Sequence, residues 1–237
     1  MLNDARTLWQ LARGQSNTSS LAARLQQFYA PQAAHYDRFR ERLLPGRRDL
    51  MEQLRFMPGE HVVELGAGTG RNLDYYAARI PSLRSVALVD LCPALLVHAR
   101  KRAAQWSNVE VIEAEADDYR ASVPIDCVYF SYSLTMMPTW STVLPHALRL
   151  LRPGGRIGGV DFYVSESHAP TGMRQHSRFT RKFWPWWFAH DGVHLASKHL
   201  EWLRAHTEPV HLIEGSASVP YLPGLRVPYY VYVGSRT

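Results

Sequence analysis

The sequence predicts an α/β fold: a Rossmann-like, doubly wound, mostly parallel seven-stranded sheet with a C-terminal antiparallel hairpin. Three observations predict it. Short apolar runs alternate with helix-length segments between His61 and Val164. A glycine-rich turn follows the first of those runs. Beyond Val164 the alternation stops, and two more strand candidates close the chain.

The elements follow in order. Leu8, Leu11, Leu21, Leu25 and Phe28 fit a helical period, so residues 1–30 read as one or two short helices broken around Gly14-Gln15-Ser16-Asn17. Residues 36–56 read as a longer helix ending before Pro58-Gly59. Residues 61–65 form a strand stopped by glycines, and residues 71–80 a helix. Residues 85–90 form the second strand. Residues 93–105 form a helix with Pro93 in its first turn. Residues 109–114 and 125–131 are the third and fourth strands. A helix over 141–151 ends at Pro153-Gly154-Gly155, and residues 156–163 are the fifth strand. Residues 209–214 and 227–233 are the last two. Pro220, Pro223 and Pro228 punctuate that last stretch, which suggests a closing hairpin at the sheet edge. Four segments are expected: N-terminal helices (1–56), the Rossmann-like core (57–164), a basic, aromatic insertion facing acceptor or membrane (165–205), and closing strands of the same sheet (206–237).

A chain of 237 residues that is 46% apolar can bury one full core. Its net charge of +6 suits an anionic partner, nucleic acid or an anionic membrane surface. Cys92 and Cys127 allow at most one disulfide and read as buried, reduced thiols. Charged residues appear at once in the N-terminal stretch and no apolar core follows, so no signal peptide is expected. No run approaches the ~18 apolar residues of a membrane span, so any membrane contact is expected to be peripheral.

The most informative motif is Glu64-Leu65-Gly66-Ala67-Gly68-Thr69-Gly70-Arg71-Asn72. Its pattern is E-x-G-x-G-x-G, not the G-x-G-x-x-G of dinucleotide sites. A dinucleotide needs a helix N-terminus aimed at its pyrophosphate. S-adenosylmethionine carries no phosphate; it brings a zwitterionic amino acid, a sulfonium and a nucleoside. Glycines let the backbone pass close to such a ligand, and Glu64 can attract its ammonium directly or through water. Asp90 ends the second strand, twenty residues after Gly70, where a carboxylate can accept both ribose hydroxyls. Beyond the third strand, Glu115 is the preferred acceptor for the adenine amino group, with Asp117 as rival and a backbone N–H for a ring nitrogen. The expected cofactor is therefore S-adenosyl-L-methionine, held by Glu64, Gly66, Ala67, Gly68, Gly70, Asn72, Asp90, Leu91, Glu115, Ala116 and Ser131. The plainer alternative is a tight turn at the glycines with Asp90 capping the next helix.

Ligands of open α/β sheets bind beyond the carboxyl ends of the strands. Ser131, Tyr132 and Ser133 end the fourth strand and are expected near the reacting methyl, whereas Met136 and Met137 read as helix capping. Methyl transfer is an in-line displacement, so positioning carries most of the catalysis and no protein nucleophile is required. Tyr36, Tyr132, Tyr163 and Trp184 are candidate aromatic faces for a sulfonium or a methylated ammonium. Residues 174–190 hold four cations, three tryptophans and no acid. That mixture suits a membrane interface or, equally, a core-packed insertion with basic residues facing solvent. A nucleic-acid surface is the weaker third reading, since no RNA-binding module is recognisable. His190, His194 and His199 are irregularly spaced, and no Cys or Glu pattern completes a ligand set, so no metal is expected.

Beyond this general pattern the sequence resembles the N-methyltransferase component of betaine-lipid synthesis. The resemblance rests on Tyr36-Asp37, Leu44-Pro45-Gly46-Arg47, Glu64 to Asn72, Val89-Asp90-Leu91-Cys92-Pro93 and Phe130 to Pro138. It continues through Asp161-Phe162-Tyr163-Val164, Met173-Arg174-Gln175, Pro220-Tyr221-Leu222-Pro223, Arg226 and Pro228-Tyr229-Tyr230-Val231. It covers residues 29–235; Glu115 stands where that family usually has Asp, and Ala67 where a glycine is common. The resemblance implies three successive methyl transfers from S-adenosylmethionine to diacylglyceryl homoserine. It also implies a separate aminocarboxypropyltransferase that makes this lipid, and a cytoplasmic, peripheral location on the inner face of an anionic membrane. The catalytic candidates under it are Tyr36, Ser131, Tyr132, Tyr163 and Arg174, with Arg174 or Arg226 pairing the acceptor's carboxylate. No nucleic acid is expected. The competing expectations are a methyltransferase for a soluble amine or hydroxyl, transfer of the aminocarboxypropyl group instead of methyl, and a non-catalytic cofactor-binding or RNA-associated module.

Overall fold

The computed structural model describes residues 43–189, 192–219, 222 and 224–237. The helices expected over 1–30, and Tyr36, lie outside the described residues. Seven strands form one sheet: β1 (His61–Leu65), β2 (Ser85–Asp90), β3 (Val109–Glu113), β4 (Ile125–Ser131), β5 (Leu151–Phe162), β6 (Glu208–Ser218) and β7 (Arg226–Ser235). Their order is β3-β2-β1-β4-β5-β7-β6. The first five pair in parallel. β7 runs antiparallel to both β5 and β6.

Alternation along the strands builds two apolar layers. Val62, Val86, Leu88, Cys127, Tyr129 and Val160 face one side, with Leu50, Leu54, Leu96, Trp184 and Phe188 packed on them. Val63, Leu65, Ala87, Val89, Val128 and Phe130 face the other, with Val143, Leu144, Leu200 and Leu203. A strand period of two supplies both faces, and helices cover each. The first layer is covered by α1 (Arg47–Leu54), α2 (Pro93–Ala103) and α4 (Arg178–Ala189); the second by α3 (Trp140–Leu150) and α5 (Lys198–His206). Gly158 on β5 lets α1 approach, since a Cβ there would lie 2.6 Å from Leu54 Cδ2. Both cysteines are buried and free, as the sequence suggests.

The structure corrects several boundaries. The helix expected over 71–80 is two short 3-10 turns, Arg71–Tyr75 and Ile80–Ser82. Asn72, Asp74, Tyr75 and Tyr76 are weak helix formers, and Pro81 removes a donor. Among the described residues the expected 36–56 helix is broken at 44–46: Leu43 is helical, and α1 begins anew after Pro45 and a left-handed Gly46 (φ 76°). β5 starts at Leu151 rather than 156, because Gly154 and Gly155 exchange backbone hydrogen bonds with Arg236. β6 and β7 are each longer than expected, and Pro228 lies inside β7, within the strand candidate 227–233. The insertion carries two helices, α4 and α5, before β6.

Candidate active site

A cleft of about 1040 Å³, solvent included, opens over the carboxyl ends of β1, β2 and β4. This is where an open parallel sheet offers a ligand site. Its floor is the loop after β1. The N–H groups of Gly66 and Ala67 donate to the Val89 carbonyl at 2.8 and 3.0 Å and tie the loop to the end of β2. Gly66, Gly68 and Gly70 all have left-handed φ. At Gly66 a Cβ would lie 2.4 Å from Ser133 Cβ, so the glycine is obligatory for packing as well as for conformation. At Gly68 a Cβ would meet only Leu95 Cδ1, at 3.8 Å. That open space faces the cleft, and it leaves the backbone bare to a ligand.

Two carboxylates hold the loop's ends. Glu64 is 1% exposed; its Oε1 accepts Asn72 Nδ2 at 2.6 Å and its Oε2 accepts the Tyr129 hydroxyl at 2.8 Å. Burial pushes its carboxyl up to about 7, against those two hydrogen bonds and the positive charge of Arg47. Asp90 accepts the N–H of Gly68 at 2.7 Å and that of Cys92 at 2.8 Å. Burial raises its carboxyl, and the backbone N–H groups oppose the rise. A carboxylate has about four acceptor positions, so each of these groups keeps capacity for a ligand. At the far end, Leu91, Glu115, Ala116 and Asp117 line the cleft; Asp117 also accepts the Thr142 hydroxyl at 2.9 Å.

The end of β4 forms the opposite wall. Ser131 lines the cleft, and its Oγ is buried without a hydrogen-bond partner. Tyr132 holds a left-handed φ of 55°, rare for a bulky side chain and typical of over-determined functional turns. Three contacts hold it. Its N–H donates to Val160 at 2.8 Å, its hydroxyl to Pro45 at 2.7 Å, and its ring packs edge-on to Phe162 at 4.7 Å. Ser133 Oγ donates to Leu65 at 2.9 Å.

The structure thus brings together along one cleft Glu64, Gly66, Ala67, Gly68, Asn72, Asp90, Leu91, Glu115, Ala116, Ser131 and Tyr132. Gly70 lies behind the loop, where a Cβ would be 3.0 Å from Leu88 Cδ1. Other candidates do not line the cleft. The Tyr163 hydroxyl donates to Glu214, and its ring packs edge-on to His176. Arg174 donates through its N–H to Glu214 at 2.9 Å. Arg226 is bound to Ser216 and Ser218 at the β6/β7 edge. Trp184 is buried in the core, with Nε1 donating to Arg226 O at 3.0 Å. Sequence reasoning assigned no role to Arg47 and treated Met136 and Met137 as capping, yet all three line the cleft. The Pro45-Gly46 break before Arg47 was the available signal, because it sets the start of α1 against the glycine loop. Among the described residues no group of His, Cys, Asp and Glu could hold a metal ion.

The donor set fits S-adenosylmethionine. Carboxylates at or just beyond the ends of β1, β2 and β3 repel a pyrophosphate but accept an ammonium, ribose hydroxyls and an adenine amine. The loop N–H groups of Gly66, Ala67, Gly68 and Gly70 are already paired within the protein, so they form no phosphate cradle.

Comparison with known proteins agrees. Residues 62–155 match the family model for a methyltransferase domain. The trans-aconitate 2-methyltransferase of Azoarcus sp. (strain BH72) is 31% identical over 120 residues, 51% of this chain and 46% of that protein. The chain thus spans about half the length of the curated relatives it matches. Among solved structures, the N-methyltransferase NodS of Bradyrhizobium japonicum WM9 with S-adenosyl-l-homocysteine is similar, with a TM-score of 0.64 at 14% identity. The match covers 90% of this chain and 98% of NodS. Haemonchus contortus phosphoethanolamine N-methyltransferase 2 with S-adenosyl-L-methionine gives a TM-score of 0.69 at 14% identity, over 93% of this chain and 60% of that one.

Proposed function

We propose, on the premise that residues 62–155 are an S-adenosylmethionine-dependent methyltransferase domain, that the chain is a lipid N-methyltransferase. Its substrate is diacylglyceryl homoserine, and it adds three methyl groups in succession to give the betaine lipid. A separate aminocarboxypropyltransferase supplies the acceptor. The chain works peripherally on the inner, cytoplasmic face of an anionic membrane.

When bound, S-adenosylmethionine supplies an electrophilic methyl on a sulfonium. The residues of the chain position it: Gly68 admits the ligand, Asp90 accepts the ribose hydroxyls, Glu115 the adenine amine, and Glu64 with Asn72 attracts the ammonium. Ser131 and Tyr132 wall the end where the acceptor amine enters. Alignment of donor and acceptor there is the main source of rate, and the released proton passes to solvent or a water chain.

The observation that carries the lipid reading is α4. Its inner face, Trp184 and Phe188, is buried. Phe188 stacks on Phe162 at 5.1 Å, and Phe162 packs on Tyr132 of the cleft wall. Its outer face leaves Phe179, Trp186 and Trp187 at 60%, 61% and 38% exposure, beside Arg178, Arg181 and Lys182. Rings at headgroup depth with cations toward anionic lipid would set the cleft beside a bilayer. No helix among the described residues is long and apolar enough to cross one.

Incubation with diacylglyceryl homoserine in anionic vesicles and S-adenosylmethionine, read by mass spectrometry, is expected to show one, two and three added methyls. An unmodified lipid would overturn this reading. A soluble carboxylic acid acceptor is the second reading, favoured by the relatives named for trans-aconitate methylation. Turnover of trans-aconitate without membranes would select it.

A further inference from the structure

Arg47 opens α1, lines the cleft and is only 7% exposed. Its Nε and Nη2 are buried and have no hydrogen-bond partner among the described residues. Those two nitrogens form one edge of the guanidinium, and their parallel N–H groups match two oxygens of a planar anion. No carboxylate among the described residues forms an ion pair with this guanidinium. The Tyr75 ring lies 5.5 Å from its Cζ, and the guanidinium's charge acts on the Glu64 carboxyl across the cleft without an ion pair between them. A buried cation with an empty fork is unfavourable unless an anion fills it.

We infer that Arg47 is the carboxylate receptor of the cleft, and that the ligand portion it grips is an α-amino acid. The cleft carries both signs. Glu64, Asp90, Glu115 and Asp117 oppose a phosphate dianion, whereas a zwitterion satisfies Arg47 with its carboxylate and Glu64 with its ammonium. The Pro45 carbonyl, two residues before Arg47, accepts the Tyr132 hydroxyl and fixes the start of α1 against the end of β4. Arg47 therefore stands at the transfer end, where two carboxylates of this kind occur: that of the methyl donor's amino acid and that of the acceptor. This inference rests on the methyltransferase reading of the domain, and not on the acceptor being a lipid.

Calorimetric titration of the full chain separates the sources. In Arg47→Gln, S-adenosylhomocysteine is expected to bind at least tenfold more weakly while 5′-methylthioadenosine, which lacks the amino acid, stays within twofold. That result assigns the donor's carboxylate. Alternatively, S-adenosylhomocysteine stays within twofold, and homoserine added to the S-adenosylhomocysteine complex weakens tenfold while homoserine amide does not change. That result assigns the acceptor's. Arg47→Lys, which keeps the charge and loses the fork, is expected to show a smaller loss at an unchanged melting temperature, and it carries the test should the Gln variant fail to fold. Binding of both carboxylate ligands within twofold in the variants overturns the inference and leaves the domain reading intact. Equal weakening of S-adenosylhomocysteine and 5′-methylthioadenosine also overturns it. A wild-type chain that binds neither S-adenosylhomocysteine nor homoserine removes both.

Discussion

Gly66 and Gly68 stand two positions apart in the same loop and answer differently to a methyl group. In Gly66→Ala the new Cβ would overlap Ser133, with backbone φ at 79°. In Gly68→Ala only the left-handed φ of 56° is unfavourable, on the order of 1 kcal/mol. Thermal unfolding without ligand is expected to show a several-fold larger loss for Gly66→Ala. Equal losses would mean the loop does not pack on Ser133 as described. Glu64 makes a second residue-level prediction. Its carboxyl, pushed up to about 7, must ionise to attract an ammonium. Affinity for S-adenosylhomocysteine should therefore rise as pH increases from 6 to 8, by at most about tenfold per unit. Glu64→Gln should bind weakly with no such slope, and an unchanged slope in that variant would clear Glu64 of the role. The glycines and the acids at strand ends were legible because their spacing is local, from Glu64 to Asn72 and at Asp90. Arg47 was not, because a guanidinium seventeen residues upstream of Glu64 reveals its role only once α1 is seated on the sheet. Arg174 and Arg226 were read as carboxylate partners from the family resemblance and the fork of the guanidinium. What the sequence does not show is their neighbours: the Arg174 backbone N–H bonds the Glu214 carboxylate, and the Arg226 guanidinium bonds Ser216 and Ser218.

At the scale of the element, α4 divides into two faces with different duties. Trp184→Ala removes a core ring and should destabilise by about 3–5 kcal/mol. Phe179→Ala with Trp186→Ala touches exposed rings and should change stability by no more than about 0.5 kcal/mol per site. That double variant should nonetheless lose co-sedimentation with anionic vesicles, and wild-type binding should weaken with added salt. Salt-indifferent binding, or a double variant that still sediments, would dismiss α4 as the membrane face. The composition of this helix was legible, but its division into faces was not. Four aromatic residues in five positions from Phe183 carry no clear period, and only packing on Phe162 decides which rings go inward. The short turns at Arg71–Tyr75 and Ile80–Ser82 were misread as one helix for the complementary reason: apolar spacing was present, but helix propensity was not.

For the whole molecule, the strand sequence predicted the sheet because five strands with three helices between them leave few topologies open. The insertion of β7 between β5 and β6 depends on long-range pairing, such as Gly159 with Tyr232, that no local pattern contains. Stability should carry the mark of two buried acids. Burial pushes Asp161, like Glu64, up to about 7. A folded-state pKa above the unfolded value favours folding at low pH, and that contribution is lost as pH rises through about 7. His199, held down to about 4 by burial, gives the opposite slope below its ordinary 6.5. The informative quantity is therefore the difference between wild type and Asp161→Asn, in which His199 cancels. The stability of wild type relative to this variant should fall as pH rises from 5 to 8, and a constant difference would show that Asp161 titrates normally. The central claim is that the cleft over Gly66 and Gly68 receives an adenosyl sulfonium, not a phosphate-bearing nucleotide. Calorimetry on the purified chain at pH 8 tests it most directly. Saturable, one-to-one binding of S-adenosylmethionine and S-adenosylhomocysteine, with none of NAD, is the predicted result; tight NAD binding with no heat from either adenosyl compound would contradict it.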